Sequence, residues 1–306
     1  MFFSCSVCKK ATKNVCNLCK LKYYCSFRCQ KLDYKNHKIK CKKKELFNYD
    51  EKTIPNQVFQ TWSTKRLPPS MMETRKRLMK KNPSTKFLLF DDIECEEFIK
   101  ENFSSDVLKA FQYLVPGAYR ADLWRYCILY KLGGIYLDIK FDTMNNFRFI
   151  DYLKREYLVL DQPYKSDKTI QEDINFINSE SFFQDLHKKN TWVSKMGIYN
   201  GFMICAKNNP YLKACIDRIV ENVRDKFYGH NSLYPTGPGL LGEVYFEDNY
   251  EEKINECQFF LSRQGKHILD KTKVILEIYP IYRYEQRRFG AKHYSTLWTE
   301  KKIYHL

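Results

Sequence analysis

The stretch Gly117–Asp142, GAYRADLWRYCILYKLGGIYLDIKFD, decides how the chain is read. From Ala121 to Leu132 the apolar residues Leu123, Tyr126, Cys127, Leu129 and Tyr130 recur at helical spacing. Gly133 and Gly134 end that helix and permit a tight turn. Ile135, Tyr136 and Leu137 are strand-prone, and Asp138 falls where the strand should run out. An acid at the end of a buried strand of an α/β sheet sits where such sheets bind ligands. Arg120, Asp122 and Arg125 lie near the helix start, with Asp122 and Arg125 on one face. Two arginines and two aspartates in one cleft suit a ligand bearing phosphate and many hydroxyls, such as a nucleotide sugar.

Outward from this stretch, the 306 residues suffice for a small module plus one larger domain. Hydrophobic residues make up 44% and charged residues 29%, which excludes general disorder. No apolar run reaches about 18 residues, so no membrane span is expected. The start, MFFSCSVCKK, lacks the pattern of a signal peptide, and a cytoplasmic location with reduced cysteines is expected. The net charge is +16, of which residues 1–50 carry +10. Nucleic acid is one partner for such a segment, but the cysteines there give a better account, because flanking lysines stabilise metal-bound thiolates.

Those cysteines read Cys5-x2-Cys8, Cys16-x2-Cys19, Cys25-x3-Cys29 and His37-x3-Cys41. Eight soft ligands at this spacing make two tetrahedral zinc sites. A disulfide framework is the rival, and it lacks a secretion signal. The spacing, with YYCS at Tyr23–Ser26, Cys29-Gln30, Asp33-Tyr34 and His37-Lys38, resembles the MYND zinc finger. That resemblance implies Cys5, Cys8, Cys25 and Cys29 on one zinc, and Cys16, Cys19, His37 and Cys41 on the other. It also implies a protein-interaction module that binds proline-rich peptides; packing on the next domain is the alternative. Residues 1–45 are read as the finger, 46–53 as a charged linker and 54–306 as the second domain.

In the second domain, strands are expected at Val58–Phe59, Phe87–Phe90, Tyr157–Leu160, Ile198–Ala206 and Val274–Ile278. Helices are expected at Met71–Lys81, Glu94–Glu101, Ser104–Tyr113, Ser179–Lys189 and Tyr211–Lys226, with Asp91-Asp92 capping the second. The alternation points to an α/β domain with a largely parallel sheet. Pro235–Gly239, PTGPG, reads as a rigid loop.

IPNQVFQTW at 54–62, FLLFDD at 87–92, the central stretch and PTGPG together resemble glycosyltransferase family 32, and more distantly the large clostridial glucosylating toxins. The resemblance implies a GT-A-like Rossmann-type domain, a UDP- or GDP-sugar donor, retention of anomeric configuration and a divalent cation held by an Asp-x-Asp motif. By motif, Trp62 would stack the base, with Gln60 and Thr61 beside it. Asp122, Arg125 and Arg120 would hold sugar hydroxyls and phosphate, and Asn200, Gly237 and Trp298 would add donor contacts. HYSTLW, with His293, Ser295 and Trp298, resembles the segment that closes over the diphosphate. Asp138 is the first acid of the motif, but Lys140 stands where the second is expected. Three readings follow. Asp142 substitutes as manganese or magnesium ligand; His293 joins Asp138; or the Lys140 ammonium itself faces the diphosphate. The leading expectation is therefore a retaining glycosyltransferase with a finger that recruits a partner or an acceptor of unknown class. The alternative is a degenerate transferase scaffold whose finger is the active part.

Overall fold

The computed structural model describes residues 3–12, 14, 23–26, 28–29, 31–33, 54–161, 169–179, 182, 197–247, 253–254, 256–262, 264–289 and 292–305. The chain divides into two compact units, Met1–Lys52 and Thr53–Leu306. The first contains a short antiparallel pair, β1 (Phe3–Ser4) and β2 (Ala11–Thr12), and a small core of Cys5, Tyr24 and Cys29. The expected linker at 46–53, and most of the helix expected at Ser179–Lys189, lie outside the described residues.

The second unit is built on a nine-stranded sheet. Its strands are β3 (Gln57–Thr61), β4 (Lys86–Phe90), β5 (Gly134–Leu137), β6 (Phe141–Thr143), β7 (Tyr157–Asp161), β8 (Gly197–Cys205), β9 (Phe259–Leu261), β10 (His267–Leu269) and β11 (Val274–Ile278). They run in the order β4-β3-β5-β8-β7-β9-β10-β11-β6. Among the described residues the α-helices are α1 (Pro69–Lys81), α2 (Asp92–Asn102), α3 (Ser105–Tyr113), α4 (Gly117–Leu132), α5 (Ile170–Ile177), α6 (Pro210–Arg224), α7 (Pro238–Phe246), α8 (Tyr282–Phe289) and α9 (Tyr294–Thr299). Asp91 caps α2 with a full capping box, as its sequence suggested.

The domain is α/β, but the sheet is mixed rather than largely parallel. β3 pairs in parallel with β4 and β5, and β7 with β9. The other five pairings are antiparallel. Connection length explains part of this. Only a few residues separate β9 from β10 and β10 from β11, and so short a link can only return the chain antiparallel. PTGPG is also less a loop than expected: Gly237 is the cap of α7, and Pro238 and Gly239 are its first residues.

Alternation along the strands sorts side chains into two cores. Phe59, Tyr136, Met203, Cys205 and Phe260 face one, and Val58, Ile135, Leu137, Phe202, Ile204 and Phe259 face the other. α4 belongs to the first. Its residues Leu123, Trp124, Tyr126, Cys127, Ile128 and Leu129 are all fully buried, so this helix is covered on nearly every side. The chain leaves it through Gly133 at φ 65°, where a Cβ would stand 2.8 Å from the Lys207 backbone nitrogen. That turn is what delivers Asp138 to the edge of the core.

Gly133→Ala should therefore destabilise the unit by about 2 kcal/mol or more in urea unfolding, from backbone strain and collision together. Gly265→Ala is the control: φ is 69° there too, but a Cβ would meet nothing within 4 Å. Equal losses in the two variants would contradict the packing account of the turn.

Candidate active site and zinc site

Asp138 follows β5, and its backbone N–H donates to the Gly201 carbonyl at 2.8 Å. Its Oδ1 accepts from the Tyr136 hydroxyl at 2.9 Å and lies 3.4 Å from Arg125. Its Oδ2 lies 2.8 Å from Lys140 Nζ and accepts from the Tyr199 hydroxyl at 3.3 Å. The Asp138 and Lys140 side chains are 19% and 18% exposed, so the pair is open to solvent along one edge. Lys140 Nζ also sits over the rings of Phe141, Tyr199 and Tyr282, at 5.5–5.8 Å.

Behind this pair lies a second, deeper layer. Asp122 accepts from Asn200 Nδ2 at 3.0 Å and from Thr236 Oγ1 at 2.8 Å, and lies 3.3 Å from Arg125. Arg125 donates to the Asn200 carbonyl at 3.0 Å and lies 4.3 Å from the Tyr136 ring. A Cβ on Gly237 would come within 3.3 Å of the Asp122 carboxylate, so the glycine lets the two elements close up. Two carboxylates and two cations thus form one cluster of balanced charge.

The charges are fixed by their neighbours. Burial works against ionised Asp138, but Lys140 and Arg125 outweigh it and hold its carboxyl below the usual range. Burial likewise opposes charge on Lys140, and Asp138 more than reverses this. For Asp122, burial dominates over Arg125 and Thr236 and pushes the carboxyl up. Burial also pushes the Tyr282 hydroxyl up, with Lys140 opposing.

The expected site residues divide into those gathered here and those used elsewhere. Asp122, Arg125, Asp138, Lys140, Asn200 and Gly237 meet in the cluster. Trp62 and Tyr282 each pack against the cluster of Met71, Ile139 and Tyr279, and Tyr282 lies against Lys140. Gln60 is fully buried and accepts from Arg75, and Thr61 donates to the Phe90 carbonyl, so both serve the strand rather than an open pocket. Arg120 pairs with Asp92 at 2.8 Å instead of facing the cluster. Trp298 donates to the Tyr228 carbonyl at 2.7 Å. His293 caps α9, with its Nδ1 2.7 Å from Ser295 Oγ. Asp142 is held by Arg77 and Lys81, at 3.3 and 3.0 Å, from the side of α1.

Tyr136, Tyr199 and Tyr282 were not singled out from the sequence. Tyr136 carried a signal, since residues two apart on a strand share a face with Asp138. Tyr282 carried none, because it is distant in the chain.

A divalent cation does not fit this donor set. Both Asp138 oxygens already accept a hydroxyl and face a cation, Lys140 offers no lone pair when charged, and Asp142 is paired off. The four cysteines differ. Their sulfurs lie within 4.8 Å of one another, with Cys8–Cys25 at 3.2 Å, Cys25–Cys29 at 3.6 Å and Cys8–Cys29 at 3.7 Å. A tetrahedral zinc with ~2.3 Å bonds needs sulfurs about 3.8 Å apart, so this set fits. Backbone hydrogen bonds, led by Cys8, lower the Cys5 thiol, while thiol hydrogen bonds with Cys8 and Cys29 raise that of Cys25, so the set releases its protons as one coupled group. Cys16, Cys19, His37 and Cys41 lie outside the described residues. Among the described residues, no other group of three or more ligating side chains lies close enough to share an ion.

Residues 68–160 match the family model described as the glycosyltransferase sugar-binding region containing the DXD motif, and residues 5–41 match the MYND finger. The chain thus matches a MYND finger model and a glycosyltransferase sugar-binding model in succession. It is 25% identical over 221 residues to the initiation-specific alpha-1,6-mannosyltransferase of Candida albicans, covering 66% of this chain and 55% of that protein. It is 32% identical over 97 residues to inositol phosphoceramide mannosyltransferase 3 of Schizosaccharomyces pombe, covering 31% and 26%. The chain therefore spans about half the length of the first relative and about a quarter of the second. Among solved structures, the PaToxG glycosyltransferase aligns with a TM-score of 0.45 at 14% identity, over 74% of this chain and 78% of that one. Among the described residues, no helix is long and apolar enough to cross a membrane.

The depressed Asp138 carboxyl makes a pH prediction. A group whose folded pKa lies below its unfolded value adds stability above the unfolded value, about pH 4, and loses it as pH falls through the folded one. Urea unfolding from roughly pH 5 to pH 2 should show this loss in the wild type and a flatter limb in Asp138→Asn. Superimposable pH profiles would remove Asp138 from the acid-sensitive groups.

Proposed function

We propose that the second unit is a retaining glycosyltransferase that takes a sugar from a nucleotide-sugar donor, and that Lys140 supplies the positive charge usually brought by a divalent metal. The observation that carries this is the Asp138–Lys140 pair at the end of β5, open to solvent along one edge and backed by Arg125 and Asp122. The match to a sugar-binding family and the mannosyltransferase relatives support the reaction class.

The chemistry follows from the charges. The bond between the sugar C1 and the diphosphate oxygen breaks, and its electron pair leaves on the diphosphate. The Lys140 ammonium lies where that negative charge grows, and a cation fixed before the reaction stabilises it without reorganisation. Asp138 holds the ammonium in place. The Asp122 carboxylate and the Arg125 guanidinium, locked by Asn200 and Thr236, hold the sugar. The acceptor hydroxyl attacks C1 from the face the diphosphate leaves, which retains configuration, and passes its proton to a departing phosphate oxygen. Trp62, which packs against the same apolar cluster as Tyr282, stacks the base on this reading. The finger, with zinc on Cys5, Cys8, Cys25 and Cys29 and a second zinc on Cys16, Cys19, His37 and Cys41, recruits a protein partner through a proline-rich peptide.

The test is turnover of a panel of UDP- and GDP-sugars by the full chain in a buffer whose only divalent metal is zinc. One donor should be hydrolysed or transferred, at a rate that added Mn²⁺ leaves unchanged. Lys140→Ala should lower kcat by about a hundredfold or more, the scale of one lost charge-stabilising group. Lys140→Asp should recover part of the activity only when Mn²⁺ is supplied. A folded chain that turns over no donor would favour the scaffold reading, in which the finger is the active part. Wild-type turnover that requires Mn²⁺ would overturn the role given to Lys140.

A further inference from the structure

Helix α8 has a face that the transferase reading leaves unused. At about 100° per residue, Arg283, Arg287, Tyr284 and Arg288 follow one another round one arc of the helix. All four are exposed, Tyr284 by 62%, and Ile281 is exposed just before the helix. The opposite edge fixes this orientation. Buried Glu285 accepts from the Ser70 and Met71 backbone N–H groups and from the Tyr279 hydroxyl. Tyr282, on the same edge, lies against Lys140. The helix therefore cannot roll to hide its arginines.

Those arginines also lack acidic company. Elsewhere Arg77, Arg120, Arg148 and Arg224 each pair with an aspartate. Among the described residues no carboxylate forms an ion pair with Arg283, Arg287 or Arg288, and Arg288 donates only to the Tyr284 hydroxyl at 3.2 Å. Three unpaired guanidinium groups around an exposed tyrosine and an exposed isoleucine are chemically mixed. Phosphate satisfies the arginines, while Tyr284 and Ile281 gain only where an apolar layer lies just beneath the phosphates. A nucleic-acid backbone offers the first but gives Ile281 nothing.

We propose that this face of α8 docks on an anionic membrane surface. Arginine near such a surface is drawn to lipid phosphates over a range set by salt screening. Because Tyr282 on the same helix touches Lys140, docking there brings the flank of the cleft next to the headgroups. The inference rests on the surface alone and holds whether or not the cleft is catalytic.

The experiment is sedimentation of the full chain with phosphatidylcholine vesicles, with and without phosphatidylserine. Wild type should bind the phosphatidylserine vesicles, release them as salt is raised, and ignore the neutral ones. Combined Arg283→Gln, Arg287→Gln and Arg288→Gln should weaken binding by roughly a hundredfold, with unchanged thermal unfolding. Tyr284→Ser should weaken it less but at every salt concentration. A charge-matched control, Lys76→Gln and Lys80→Gln on α1 with Lys109→Gln on α3, all exposed, should leave binding as it is. Equal losses in the control and the α8 variant would reduce the effect to overall charge and overturn the proposal. So would wild-type binding to an RNA duplex in preference to phosphatidylserine vesicles.

Discussion

The ion pair between Asp138 and Lys140 is the constraint the site depends on. Each charge is costly where it stands, because both side chains are less than one-fifth exposed. Removing one partner of so buried a pair commonly costs about 3–5 kcal/mol, since the other is left uncompensated. The surroundings share the load. Tyr136 and Tyr199 donate to the carboxylate, Arg125 approaches it from behind, and aromatic faces surround the ammonium. Remote elements are held to this pair as well: β8 brings Tyr199 and Asn200, the start of α7 brings Gly237, and α8 brings Tyr282. A sheet with β8 wedged antiparallel between β5 and β7 is what lets these segments converge.

The same pair changes what the motif can do. An Asp-x-Asp motif presents two carboxylates to a cation that bridges the donor phosphates. Here the second position carries the cation itself, covalently attached. A lysine is a point charge with three donors, while a metal ion can bind several phosphate oxygens at once and orient them. On the proposed reading the ammonium supplies charge with less geometric control, and Arg125 and the ordered Asp122–Asn200–Thr236 network supply the rigidity.

Much of this was legible in the sequence, and what was not has physical causes. The helix–glycine–strand order around Asp138 could be read because period and turn chemistry are local. Asp122 and Arg125 were placed together because they share a helix face. Lys140 was visible as a departure from a motif. Arg120 was read with the cluster because a helix start has several faces, and nothing in its neighbours shows that Asp92, at the first position of α2, pairs with it. Asp142 looked available as a ligand until α1 brought Arg77 and Lys81 to it from more than sixty positions earlier in the chain. Glu285 and Tyr282 were invisible for the same reason: their partners are distant in sequence. Strand direction was misread because helix–strand alternation suggests parallel pairing, whereas the short late strands return on themselves.

The most direct measurement is the affinity of the full chain for UDP and for GDP by calorimetry, in zinc-only buffer and again with Mn²⁺ added, for wild type and Lys140→Ala. The account predicts that one nucleotide binds wild type with the same affinity in both buffers, and that Lys140→Ala weakens this binding by about tenfold or more, the scale of one lost charge-assisted contact. Binding that appears only with Mn²⁺, and that survives the loss of the lysine, would contradict it.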